Sequence, residues 1–517
     1  MLEFMRTNEK LATGQVFPRT HESRFYGNIR NSARAGAHRS GGAEAQGIHP
    51  IEARALLRRR NQFRVEPGKW QGNLRAGEDP ARPPNARHGS ERRFEGCLMD
   101  ALSVFRMDGS DPRLLGRINL DPVTFSYDPG YLADPDARAV SCSLPLRNEA
   151  YSESALVPYF DGLLPEGAAR RAIAAQLGIE PDDYLLLLLR CGLETIGDVA
   201  ITNGEAPNPR GSYRRLSGFD LRALFSAMEE LAESNSEARL SLAGTQGKAG
   251  LAHMPGAPMD EGWLQPLDGA ASTHILKTGS LPDIPLLEYL CMKAAAACGI
   301  AVAPVHLLDF GRPVLCVERY DRRQLRNRGE PVVSRLHQED LSQAFGVPPE
   351  AKYRELEPST AAAVGSFIRM RSSRPIEDLE AFARITCFNY LVGNCDNHLK
   401  NLSILYTSTW KSFRLAPAYD LVSTTRLERF SRSMGMRIGS ASVIDDVSPS
   451  SILEFGSAIG VDRKDIARIC AELASSVPSA IEIAGETAPA FEALPYAAWD
   501  MREDMGERMR VLEEVAG

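Results

Sequence analysis

The 517-residue chain has room for two or three domains and a sizeable core, and its 43% hydrophobic and 25% charged residues are ordinary for a soluble globular protein. Its net charge of −7 is unevenly spread: residues 1–97 carry 18 Lys/Arg against 10 Asp/Glu, a net +8, which leaves −15 for the remainder. No apolar run approaches the roughly 18 residues of a membrane span, no signal-peptide pattern opens the sequence, and nine Cys without a CxxC pair read as reduced, mostly buried thiols of a cytoplasmic protein.

Residues 1–97 lack sustained periodicity and are rich in Arg, Gly, Ala and Pro, the composition of a disordered basic extension. A short helix fits Ile51–Arg60, whose basic run suits nucleic acid or an acidic partner. Met99 stands just before the first strand-like run and offers an alternative start. From Ala101, ALSVF and RLLGRINL alternate like paired strands around the turn signal DGSDP, and VTFSY and AVSCSLPL follow as two more. YFDGLLPEG then leads into a helix, AARRAIAAQLG. A second helix, PDDYLLLLLRCG, opens with Pro181 and acidic residues where a helix N-terminus favours them. Residues 98–205 thus read as a small α+β domain, and the polar 206–217 as a linker.

Small residues in Ser241–Leu251, SLAGTQGKAGL, let backbone N–H groups approach a phosphate. The stretch is not a Walker A loop, because only two residues separate Gly244 from Gly247 and Ala249 replaces the Mg²⁺-binding Ser/Thr; an ordinary hairpin fits it equally well. THILKTG places Lys277 at the end of an apolar strand, and Glu288 follows on a helix, Pro285–Cys298. A strand Lys followed by a helical Glu positions phosphates in kinases, although alone the pair reads as a surface Lys and a solvated Glu. PVLCVERYDR is a buried strand running out into polar residues, as a hinge between two lobes requires.

From Pro375 onward the pattern is mostly helical, and EDLEAFARITCFNYLVG leads directly into NCDNHLKN. Asp396 and Asn401 are five apart, and Asp420 follows in LAPAYDLVS. This D-x-x-x-x-N…D order supplies a carboxylate to take the proton of an attacking hydroxyl, then an amide oxygen and a second carboxylate to hold Mg²⁺. Cys395 and His398 flank Asp396, but structural zinc wants four N/S ligands and no second Cys/His pair lies nearby. His398 reads instead as support for the loop or for the attacking group's surroundings.

Taken together, YFDGLLPEG, SLAGTQGK, HILK, VERYDR, RLHQEDLSQAFG with the later Lys352–Tyr353, NCDNHLKN and APAYDLVS resemble the HipA-like serine/threonine kinases, toxins of bacterial type II toxin–antitoxin pairs. The resemblance covers about residues 98–480; the extension has no counterpart in it. It implies an α+β protein with a bilobal kinase-like core: a β-rich N-lobe and hinge (206–325) and a helical C-lobe with the catalytic loop (326–517), preceded by the small domain. It further implies ATP and Mg²⁺, a protein substrate such as an aminoacyl-tRNA synthetase, and a DNA-binding antitoxin through which DNA is met only indirectly. On this likeness Asp396 is the catalytic base and Lys277 touches the phosphates; His398 is counted with them as catalytic through the attacking group's surroundings. Asn401 and Asp420 are the metal ligands. The nucleotide loop is Ser241, Leu242, Ala243, Gly244, Thr245, Gln246, Gly247 and Lys248, and the backbone of Glu318 and Tyr320, with Asp321, faces adenine and ribose. Two other readings stay open: a catalytically silent antitoxin-binding module, and a small-molecule phosphotransferase sharing the D-x-x-x-x-N…D order.

Overall fold

The computed structural model describes residues 99–517, apart from 108–110, 235–245, 280–282, 326–328 and 428–429. The expectations placed on the basic extension and on Ser241–Thr245 therefore lie outside the described residues. Strands β1 (Ala101–Arg106), β2 (Arg113–Leu120) and β3 (Val123–Tyr127) form the antiparallel meander that their alternation predicts. Short strands β4 (Tyr151–Ser152) and β5 (Val199–Thr202) extend it to the order β4-β3-β2-β1-β5. Helices Glu153–Phe160, Gly167–Leu177 and Tyr184–Cys191 accompany this sheet; Asp183 caps the last, its Oδ1 accepting Leu186 N at 3.1 Å.

AVSCSLPL is not the strand that its sequence suggests. It holds one isolated bridge, Ser141 to Leu144, because side chains satisfy its backbone instead of a ladder. The Tyr127 hydroxyl accepts Val140 N at 2.9 Å, and Cys142 N donates to Glu339 Oε1 at 3.0 Å.

The second sheet comprises β6 (Ser212–Arg215), β7 (Gln246–His253), β8 (Trp263–Leu267), β9 (His274–Gly279), β10 (Val305–Asp309) and β11 (Pro313–Glu318), in the order β10-β11-β9-β7-β8-β6. Strand β6 lies within the stretch expected to be a linker. It is an edge strand whose side chains are mostly exposed, so its polar sequence carries no burial signal. Leu221 and Phe225 of helix Gly218–Ser234 pack with Leu251, Trp263 and Leu276 on one face. Alternation along β9 then turns Lys277 to the other face, toward helix Asp283–Ala297.

The rest is predominantly helical, with hairpin β12 (Arg322–Gln324)/β13 (Val333–Arg335), a three-stranded sheet β14 (Gln338–Asp340), β15 (Ser403–Tyr406) and β16 (Phe413–Leu415), and hairpin β17 (Ser433–Ile438)/β18 (Ala441–Val443). Helix Pro375–Val392 starts with Pro at its first turn followed by Glu377 and Asp378, a favourable start for the helix dipole. Phe382, Phe388, Leu391 and Val392 on it are fully buried, and each such side chain contributes about 1.5–3 kcal/mol. No helix of the described residues is long and apolar enough to cross a membrane.

Candidate active site

Register in the second sheet sets Lys248 of β7 directly opposite Lys277 of β9. Opposed residues of an antiparallel pair share a face, and like charges there repel unless an anion sits between them. Asp420 supplies that anion: Oδ1 makes a short contact with Lys277 Nζ, and Oδ2 lies 3.5 Å from Lys248 Nζ. Lys277 Nζ also donates to Oε1 of the fully buried Glu288 at 2.6 Å. Burial works against the Lys277 ammonium, but Asp420 and Glu288 overcome it and raise its pKa above the ordinary lysine value. Burial likewise opposes the Asp420 carboxylate, yet Lys248 and Lys277 hold it well below the usual carboxylate range. Glu288 is pushed up by burial against the pull of Lys277. Asp420 has φ 53°, a left-handed conformation uncommon outside glycine, though Asp and Asn adopt it more readily than most residues.

The catalytic-loop candidates follow helix Pro375–Val392, which ends at Gly393 with φ 79°. Asn394, which the sequence reading passed over, organises what comes next. Its Oδ1 accepts Asp396 N at 3.1 Å, while Nδ2 donates to Asn389 Oδ1 at 2.9 Å and to Asp420 O at 3.4 Å. The loop therefore brings Asp396 and Asp420 into one hydrogen-bonded unit. Asn401 Nδ2 donates to Asp396 O at 2.7 Å, and its amide oxygen accepts no hydrogen bond from the described residues. Tyr353 donates its hydroxyl to Asp396 Oδ1 at 2.6 Å. Burial raises the Asp396 carboxyl above its ordinary value, opposed by that hydroxyl. Burial, reinforced by Lys352, pushes His398 down to about 3, so its ring is neutral near pH 7.

Comparison with known proteins identifies the lineage. Residues 111–202 match the HipA N-terminal domain and residues 240–481 the HipA-like C-terminal domain. The protein Y4mE of Sinorhizobium fredii, named as a kinase, is 35% identical over 392 residues, covering 72% of this chain and 89% of that one. The chain belongs to the HipA-like kinase family. The serine/threonine-protein kinase toxin HipA of Shewanella oneidensis is 28% identical over 390 residues, covering 71% of this chain and 86% of its own. A solved complex of Shewanella oneidensis HipA with HipB and operator DNA matches with TM-score 0.70 at 24% identity, over 80% of this chain and 99% of that chain, and establishes a shared mixed α+β fold.

Against this family background, the residues expected at the nucleotide divide. Lys248, Lys277 and Asp420 meet, and so do Asp396 and Asn401. Gly247 lies on β7 opposite Thr278. At the end of β11, the Glu318 carboxylate lies 3.3 Å from His306 Nε2 and its backbone N–H donates to Pro304 O at 2.9 Å; the Tyr320 ring lies 6.0 Å from that of Tyr419. Asp321, expected beside the ribose, has close partners within the chain. It is 2% exposed, accepting Arg319 Nη2 at 2.7 Å, Arg322 Nη1 at 2.8 Å and Gly197 N at 2.8 Å. Its carboxylate is engaged in a buried ion network.

Other connections had no periodic signal to reveal them. Glu166, the acid of YFDGLLPEG, accepts Lys352 Nζ at 2.9 Å and lies 3.3 Å from Lys400 Nζ, beside Asn401. Burial disfavours this carboxylate, but Lys400 and Lys352 lower its pKa below the ordinary value. The donor set suits Mg²⁺: one carboxylate from Asp420 and one amide oxygen from Asn401, all-oxygen ligands for a hard cation that keeps waters and phosphate oxygens. Among the described residues no group of three or more His, Cys, Asp or Glu is placed to hold a metal.

Proposed function

We propose that the protein is an ATP- and Mg²⁺-dependent serine/threonine protein kinase with a two-lobed core, transferring the γ-phosphoryl group to a hydroxyl of a protein. The observation that carries this reading is Asn394, which holds the proton-accepting loop and the Asp420 cation ligand together through 3.1 and 3.4 Å hydrogen bonds. Lys277, fixed from behind by Glu288, and Lys248 opposite it offer two ammonium groups to phosphate oxygens. Asp396 takes the proton of the acceptor hydroxyl, and Asn401 and Asp420 hold the cation. Mg²⁺ when bound neutralises charge on the β- and γ-phosphates.

We further propose an acceptor in the translation apparatus, such as an aminoacyl-tRNA synthetase, and a cytoplasmic setting. The likeness to HipA toxins supports a DNA-binding antitoxin as partner, as HipB accompanies HipA in the Shewanella complex. The test is transfer of label from γ-labelled ATP in whole lysate. Labelled protein bands are expected, whereas labelled small molecules would make this a small-molecule phosphotransferase. Asp396→Asn should lower the rate by about 10²–10⁴ without loss of fold, and Asp420→Ala should abolish Mg²⁺-dependent ATP binding. Near wild-type transfer by either variant overturns the assignment.

A further inference from the structure

Asp396 has two carboxylate oxygens in unlike situations. Oδ1 accepts the Tyr353 hydroxyl at 2.6 Å, the one side-chain donor to this carboxylate among the described residues, while Oδ2 accepts nothing from them. His398 Nε2 stands 3.9 Å from Oδ1, too far for a hydrogen bond. We propose that Tyr353 is a positioning residue for phosphoryl transfer, holding Oδ1 so that Oδ2 is aimed at the acceptor hydroxyl. This rests on the kinase reading above.

Tyr353 is suited to that role because its chain segment is pinned on both sides. Lys352 is tied to Glu166 at 2.9 Å, Arg354 N closes a turn onto Ala351 O at 2.8 Å, and Leu356 N donates to Thr360 Oγ1 at 3.0 Å. The Tyr353 ring also stands edge-on to that of His398, with centroids 5.1 Å apart. Glu166, which holds Lys352, reaches Lys400 of the catalytic loop as well. The hydroxyl and the loop are thus referenced to one carboxylate of the N-terminal domain. A carboxylate with one oxygen held loses rotational freedom about its last bond, and its free oxygen keeps a fixed direction. That pre-orientation matters when a reacting pair must sit within hydrogen-bond reach.

Tyr353 is 49% exposed, so Tyr353→Phe removes the hydroxyl without opening the core. The experiment measures steady-state transfer from γ-labelled ATP to dephosphorylated casein by the full chain, as wild type, Tyr353→Phe, Tyr353→His and Asp396→Asn, with ATP affinity and thermal melts alongside. Losing one hydrogen bond to an ionised group should lower kcat about 10- to 100-fold in Tyr353→Phe. KM for ATP should stay within about twofold if the bond acts on the base and not on nucleotide binding, with an unchanged melt. Tyr353→His, which keeps a ring donor, should recover part of the rate. An unchanged kcat, or a raised KM with kcat intact, overturns the inference. A faster Tyr353→Phe also overturns it, showing that the hydroxyl blocks the acceptor's place. If wild type neither labels casein nor hydrolyses ATP, the kinase reading itself fails; if wild type is active and Tyr353→Phe equals it, only the positioning role fails.

Discussion

His398 is 4% exposed, and burial together with Lys352 pushes its imidazole down to about 3. A ring that stays neutral near pH 7 supports the loop by packing and offers no positive charge to a reacting phosphate. Its folded value lies below the ordinary 6.5 or so, so between about pH 6.5 and 3 the unfolded chain binds a proton that the folded chain refuses. Stability falls as pH drops through that window, by at most about 1.4 kcal/mol per pH unit from this one group. His398→Gln should therefore lose less stability than wild type between pH 6.5 and 4 in urea titrations, and parallel curves would refute the buried neutral ring. At this scale the sequence spoke clearly where spacing encodes chemistry. Asp396, Asn401 and Asp420 stand out because the proposed base and cation ligands impose both residue type and order. Tyr353 and Asn394 lie in stretches that carry the resemblance but received no role, because theirs depends on one hydroxyl and one amide reaching across the fold, and no periodicity records that.

Helix Pro375–Val392 was legible from its apolar spacing, its Pro start and its Gly stop, whereas β6 and the segment AVSCSLPL were misread. An exposed edge strand looks polar, and a β-like segment whose backbone is satisfied by Tyr127 and Glu339 never joins a ladder. The Gly stop has a sharper consequence. Gly393 sits at φ 79°, and a Cβ there would stand 2.1 Å from Thr425 Oγ1 and 3.0 Å from Arg508 Nη2. Gly178 ends helix Gly167–Leu177 at φ 67° with nothing within 4 Å of an added Cβ. The two alanine substitutions separate backbone strain from crowding. Gly178→Ala should cost about 1 kcal/mol, the left-handed penalty alone, and leave transfer intact. Gly393→Ala adds a steric conflict with two side chains, about 2–4 kcal/mol in all, and should also reduce transfer by shifting Asn394. Equal melting shifts for the two would show that Thr425 and Arg508 move aside freely.

At the scale of the described residues, the segment matching the HipA N-terminal domain is joined to residues 319–335 by buried charge. Glu194 lies 2.9 Å from Arg319, 3.3 Å from Arg322 and 2.8 Å from Arg335, while Asp321 takes Arg319, Arg322 and the backbone of Gly197. Two carboxylates thus face three guanidinium groups. Burial and the neighbouring Arg319 push Arg322 down to about 10, whereas Arg319 and Arg322 overcome burial and hold the Asp321 carboxyl well below its usual range. Removing one partner of such a cluster strands the others, at a cost of about 3–5 kcal/mol. The likeness that places Asp321 at a ribose predicts something different, a residue whose loss weakens nucleotide binding and leaves the fold alone. Asp321→Ala decides between them. The buried network predicts a large fall in thermal and urea stability and faster proteolysis, with ATP affinity of the remaining folded fraction changed less than about threefold. An unchanged melt with ATP affinity lowered tenfold or more would return Asp321 to the nucleotide and leave Glu194 as the anchor of the three arginines.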